Sequence, residues 1–146
     1  MITDKLKTIM ADSGCTLVIY EAERLANLYT DESNQADIIG LIIQPVTILL
    51  DVKANAIPEH YNPMTLKVMQ QVKLEDSADN NEAKLQALLD ICKEIIVRII
   101  ADTSFKTIRP VSVTRILETE FDANVVGWVM PIDLYYLNNE NREPCL

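Results

Sequence analysis

The stretch FDANVVGWVMPIDLYYL, Phe121 to Leu137, decides how this chain is read. It holds the only Trp, one of three Gly and two of five Tyr. Taken as a strand from Val125 to Tyr136, its even positions are Val126, Trp128, Met130, Ile132, Leu134 and Tyr136. All are apolar or aromatic, so this side faces a core. The odd positions are Val125, Gly127, Val129, Pro131, Asp133 and Tyr135. A solvent face does not carry Val125, Val129 and Tyr135 beside one charge. The second side must be covered, either from within the chain or by another subunit. The reading adopted is a subunit contact through Val125, Val129, Pro131, Asp133 and Tyr135. Pro131 has no N–H for a ladder and predicts an edge or a bulge.

Working outward, the helix with the clearest period precedes this strand. From about Asn81 to Asp102, Leu85, Leu88, Leu89, Cys92, Ile96, Ile99 and Ile100 repeat at helical spacing, with Ile95 beside them. Glu82, Asp90, Lys93, Glu94 and Arg98 take the other side. This predicts an amphipathic helix. Leu89 and Ile96 are expected in the core, with Trp128, Ile132 and Leu134 beneath them. VSVTRILETEF is read as the strand before the last one, joined to it by a turn at Asp122–Asn124.

Upstream, MTLKVMQQVKL alternates and predicts an amphipathic strand. DIIGLII and VTILLDV are β-branched runs separated by Gln44-Pro45, read as two strands or as one strand bulged at the Pro. KANAIPEHYNP, Lys53 to Pro63, reads as a loop with two prolines, and Pro58, His60 and Tyr61 are its candidate contact residues. CTLVIY is a short strand and EAERLANLY a helical turn. At the start, Thr3 or Asp4 caps a helix whose stripe is Ile2, Leu6, Ile9 and Met10, and Ser13-Gly14 stops it. Helix, strands, long helix and two strands, with no βαβ rhythm, give an α+β fold. The expected form is one domain, residues 1–146, with an antiparallel sheet, the long helix packed across one face and a short N-terminal helix.

Composition bounds the chemistry. The net charge is −9, which argues against a nucleic-acid grip built on clustered Lys and Arg. Cys15, Cys92 and Cys145 are odd in number and widely spaced, as suits a reducing compartment. No secretory signal and no membrane helix are read; the apolar run from Ile38 to Val52 is broken by Gln44, Pro45, Thr47 and Asp51. His60 is the only histidine, and nothing pairs it with a nucleophile or a second metal ligand. Cys92 and Cys15 read as small buried hydrophobes. Three glycines form no phosphate loop. No catalytic, cofactor or metal residue is assigned, and the chain is not read as an enzyme.

The layout resembles the tail-terminator and neck (head–tail connector) proteins of tailed bacteriophages. The resemblance rests on the long helix Asn81–Asp102 and on the ending FDANVVGWVMPIDLYYL: an acidic or Asn-rich turn, a Gly, an aromatic and alternating apolars. It implies a virion protein forming a six- or twelve-fold homo-oligomeric ring. Such a ring is assembled in the bacterial cytoplasm and stacks on neighbouring portal, connector or tail proteins. DNA passes through its acidic channel without specific binding, and no membrane is involved. The polar tail from Asn138 through Arg142 to Leu146 is then expected on the adjacent subunit, and the His60 loop against the next ring. The alternative is an adaptor subunit of a bacterial contractile injection or secretion machine; a small ligand-binding or enzymatic domain using the His60 loop is a third.

Overall fold

The computed structural model describes residues 2–20, 38–53, 56–71, 78–107, 111–116 and 125–137. The expected turns at 21–29 and 122–124 and the tail at 138–146 lie outside them. Helix α1, Ile2–Asp12, buries Ile2, Leu6, Ile9 and Met10 on one stripe and carries Asp4 in its first turn. It begins ahead of the expected Thr3 or Asp4 cap. Gly14 ends it at φ +122°, a backbone region that L side chains rarely adopt, and Cys15 N donates to Met10 O at 3.0 Å.

The strands follow as β1 (Leu17–Ile19), β2 (Ile38–Ile43), β3 (Leu49–Leu50) and β4 (Glu59–Gln71). After helix α2 (Ala78–Ala101) come β5 (Phe105–Thr107), β6 (Thr114–Arg115) and β7 (Val125–Tyr136). The sheet order is β1-β2-β4-β7-β5, with β3 on β4 and β6 on β7. The sheet is mixed rather than antiparallel, because β1 runs parallel to β2 while the other pairs are antiparallel. A parallel pair needs a long crossover, and residues 20–37 separate these two strands. Strands β2 and β3 line the same edge of β4, interrupted at Gln44–Ile48, so of the two readings of this run it is the two-strand one that describes the edge.

The two faces of the sheet have separate clusters. The helix side gathers Met64, Leu66, Val68, Met130, Ile132 and Leu134 with Leu6 and Met10 of α1 and Leu85, Leu88, Cys92, Ile95 and Ile99 of α2. Trp128 Nε1 donates to Leu85 O at 2.9 Å and ties β7 to α2. Lys5 Nζ donates to Ser104 Oγ at 2.7 Å and ties α1 to the turn after α2. The opposite side gathers Ile19, Ile39, Leu41, Met69, Ile116 and Val125.

Two expectations for α2 change. Its core stripe is narrow, Leu85-Leu88-Cys92-Ile95-Ile99, so Ile95 is fully buried while Leu89 and Ile96 are only partly covered. Ile100 turns outward and is exposed. Strand β7 also differs from an edge strand: β4 runs along one side of it and β5 and β6 share the other. Strand β6 pairs at Trp128 and Val129 and β5 at Leu134 to Tyr136, so Pro131 falls in the gap between them, where its missing N–H costs no ladder bond.

Ile95→Ala is expected to lower stability by about 2–5 kcal/mol, as for a closed core site, and Leu89→Ala by clearly less. Equal losses in urea unfolding would contradict the narrow stripe. Gly127 sits against the β4 backbone: a Cβ there would lie 2.1 Å from Val68 O and 2.7 Å from Met69 Cα. Because backbone cannot swing aside, Gly127→Ala is expected to cost about 1–3 kcal/mol by forcing the strands apart. An alanine variant as stable as the parent would refute that close approach.

Candidate interaction surface

Of the residues singled out by sequence, His60, Tyr61, Asp133 and Tyr135 meet at one end of the sheet, and a bulge in β4 sets the first two there, while Val125 and Val129 lie toward the other end. Strands β4 and β7 pair from Gln71↔Val125 to Met64↔Ile132, then resume at Tyr61↔Leu134. Three steps on β4 match two on β7 across Asn62-Pro63, so β4 gains one residue and its side chains change faces. Beyond the bulge Tyr61 turns to the helix side and His60 to the other, opposite Tyr135.

His60 Nε2 hydrogen-bonds Asp133 Oδ1, and its ring stacks on Tyr135 with centroids 4.1 Å apart and planes 5° apart. The imidazole side chain is 13% exposed. It therefore clamps β4 to β7 and is not a freely projecting loop residue. This corrects the expected loop from Lys53 to Pro63: β4 already begins at Glu59, and Asp51 N to Pro58 O and Lys53 N to Ala56 O, both 3.0 Å, make a two-stranded arm.

Of the candidate contact residues in that segment, Pro58 is buried and Tyr61 is 3% exposed. Tyr61 Oη donates to Glu59 Oε1 at 3.0 Å. Burial first, and then the Glu59 hydrogen bond and charge, push its phenol above the usual range. Neither residue is presented to a neighbour. Val125 is fully covered by the second-face cluster, so that part of the expected subunit contact is satisfied within the chain. Val129 is partly buried against the same cluster, and Pro131 pairs with Thr65. Asp133 and Tyr135 are engaged by His60. Asn138 and Arg142 lie outside the described residues.

An open cleft of about 490 Å³ adjoins this cluster, lined by Asp51, Lys53, Pro58, Lys106, Tyr135 and Leu137. It carries both signs of charge, and Lys53 Nζ stands 3.6 Å from Asp51 Oδ2, so it does not select a ligand of one sign. Among the described residues, no group of three or more His, Cys, Asp or Glu is placed to hold a metal ion. Burial pushes the Cys15 and Cys92 thiols up to about 12, away from thiolate chemistry. No helix of the described residues is long and apolar enough to cross a membrane.

The feature that sequence reading passed over is exposure. Five of the seven residues from Val46 to Val52 are exposed apolar side chains: Val46, Ile48, Leu49, Leu50 and Val52. Val46 is fully exposed at 105% and Val52 is 79% exposed. The signal was available as an apolar run flanked by Pro45 and Asp51 with no second run to pair it along its length. Among the described residues, the other exposed large apolar side chains are Val97 and Ile100 of α2 and Tyr20, over whose ring Lys7 Nζ sits at 5.1 Å. Comparison with protein-family models, with characterised proteins and with solved structures finds no match to this chain.

His60 stacking and its bond to Asp133 each contribute on the order of 0.5–1.5 kcal/mol. His60→Ala is therefore expected to cost about 1–3 kcal/mol, not the near-neutral change of a loop histidine. A double-mutant cycle of His60→Ala with Asp133→Ala is expected to show coupling of at least about 0.5 kcal/mol. A coupling of zero in urea unfolding would mean that the two side chains touch without holding the strands.

Proposed function

We propose that this chain is a self-associating structural subunit and, in the most specific form of that reading, a ring protein of the phage head–tail junction. It would serve there as a tail terminator or connector around the DNA channel. The observation that carries the reading is the exposed apolar segment Val46–Val52. Monomeric proteins seldom leave more than a few hundred Å² of apolar surface together in water, and a run of five exposed Val, Leu and Ile side chains is what a contact surface offers. The segment is held on a rigid base by the His60–Asp133 bond and the Tyr135 stack, which suits a surface that must keep its shape when a neighbour docks.

The net charge of −9 supports the channel role. A ring of acidic subunits repels passing phosphates and lets DNA slide without counterion-releasing contacts. The resemblance in layout to terminator and neck proteins supplies the choice of ring over other assemblies.

At micromolar concentration the purified chain is expected to sediment as a defined multiple of its monomer mass and to appear as closed annuli by negative-stain electron microscopy. A monomer at every concentration tested would remove the structural-subunit reading. Open filaments without annuli would keep self-association and remove the ring.

A further inference from the structure

We infer that the contact joining neighbouring copies is heterologous: the Val46–Val52 arm of one copy lies on the outer C-terminal turns of α2 of the next. This deepens the self-association proposed above and rests on it.

Three observations point to this pairing. The first is that the described residues carry two separate exposed apolar patches, the arm and the Val97/Ile100 face of α2.

The second is placement. One row of the sheet runs Leu50↔Glu59↔Tyr136↔Phe105, across β3, β4, β7 and β5. The arm extends from the β3 end of that row. The last turn of α2 is tied to the β5 end, where Phe105 N donates to Asp102 O at 3.2 Å and Asp102 N to Arg98 O at 3.1 Å. Three strand spacings of about 4.8 Å put the two ends of the row about 14 Å apart. The arm thus lies beyond one end of that row and the last turn of α2 beside the other, with Val97 and Ile100 on the side of the helix turned away from its buried stripe. A contact between two different patches propagates head to tail and closes into a ring when the rotation allows. An arm-to-arm contact would stop at a dimer.

The third is charge. Each patch is bordered by one acid and one base already in an exposed pair. On the arm, Lys53 Nζ is 3.6 Å from Asp51 Oδ2; on the helix, Arg98 Nε is 2.9 Å from Glu94 Oε1. With the arm laid along the helix, Lys53 meets Glu94 and Asp51 meets Arg98, so the two pairs merge into a network of four charges flanking a dry apolar strip. Acidic neighbours at a net charge of −9 otherwise repel, and local matching of this kind fixes which surfaces meet.

The test uses two double variants of the full chain, an arm variant Leu50→Glu/Val52→Glu and a helix variant Val97→Glu/Ile100→Glu. All four positions are exposed, so melting temperatures and far-ultraviolet circular dichroism are expected to match the parent. In sedimentation velocity the parent is expected to assemble and each variant to remain monomeric. An equimolar mixture of the two is expected to form a dimer and nothing larger, because it contains one intact arm and one intact helix face per pair. Independently, Lys53→Glu and Glu94→Lys are each expected to weaken assembly about tenfold, a loss of about 1.4 kcal/mol, and their combination in one chain to restore it. If the parent assembles and either double variant still does so, the arm–helix contact is wrong while self-association stands. If the mixture forms particles larger than a dimer, or the charge reversal fails to rescue, the pairing of these two patches is wrong. A parent that never assembles overturns both readings.

Discussion

Every face assignment in this protein descends from the pairing of β4 with β7. The two strands run antiparallel from Gln71↔Val125 to Glu59↔Tyr136; β2 and β3 attach to the outer edge of β4, β5 and β6 to that of β7, and β1 to β2. Side chains alternate, so a shift of one residue in this register would exchange the helix-side and opposite-side sets. The bulge at Asn62–Pro63 makes that exchange once, at a fixed place. It sends Tyr61 to the helix-side core beside Leu134 and frees His60 to reach Asp133 and Tyr135. Without the extra residue the imidazole would enter an apolar core, where a polar ring needs a partner it would not find.

Much of this was legible in the sequence where period and length agreed. The twelve residues Val125–Tyr136 form one strand with the predicted bounds, and the stripe of α1 and its Gly14 stop were readable because a 3.6-residue repeat and a turn residue coincide. Helix α2 was placed within a few residues, but its buried centre was not: Ile95, set beside the stripe, is buried, while Leu89, Ile96 and Ile100 are progressively displaced from it. Both sides of a helix rich in Leu and Ile look like a core-facing side until the neighbouring sheet selects one. The start of β4 was hidden for a different reason. Pro58 and Pro63 flank EHYN and mimic a loop, yet Pro63 lies in the bulge, where a residue is spared its ladder bond. The parallel β1–β2 pair was not legible at all, since strand direction depends on the path of the chain between Tyr20 and Ile38.

The double apolar face of β7 was recognised but half misassigned. Val125 and Val129 meet Ile19, Ile39, Leu41, Met69 and Ile116, so the second face is a small core of its own at one end of the strand. Toward the other end the same face changes character, to Asp133 and Tyr135 holding His60. The sequence could not show this gradient, because it arises from which strands lie alongside. Among the described residues, the exposed apolar side chains gather instead mainly on the edge segment Val46–Val52, which the sequence reads as a strand.

That segment sets an energetic condition on the proposed assembly. Fully burying five Val, Leu or Ile side chains contributes at most about 7–15 kcal/mol, taking about 1.5–3 kcal/mol for each. Association costs about 4–15 kcal/mol in lost translational and rotational freedom. The two ranges overlap, so a single arm–helix contact is marginal, and an open chain of subunits gains one contact for each subunit it immobilises. Closing a ring adds one more contact without immobilising another subunit, because the last arm and the last helix face already belong to one particle. A weak, heterologous, apolar contact therefore favours closed rings over short open oligomers. Its weakness is useful as well: subunits that bind one another only marginally in pairs can exchange until closure selects the correct number.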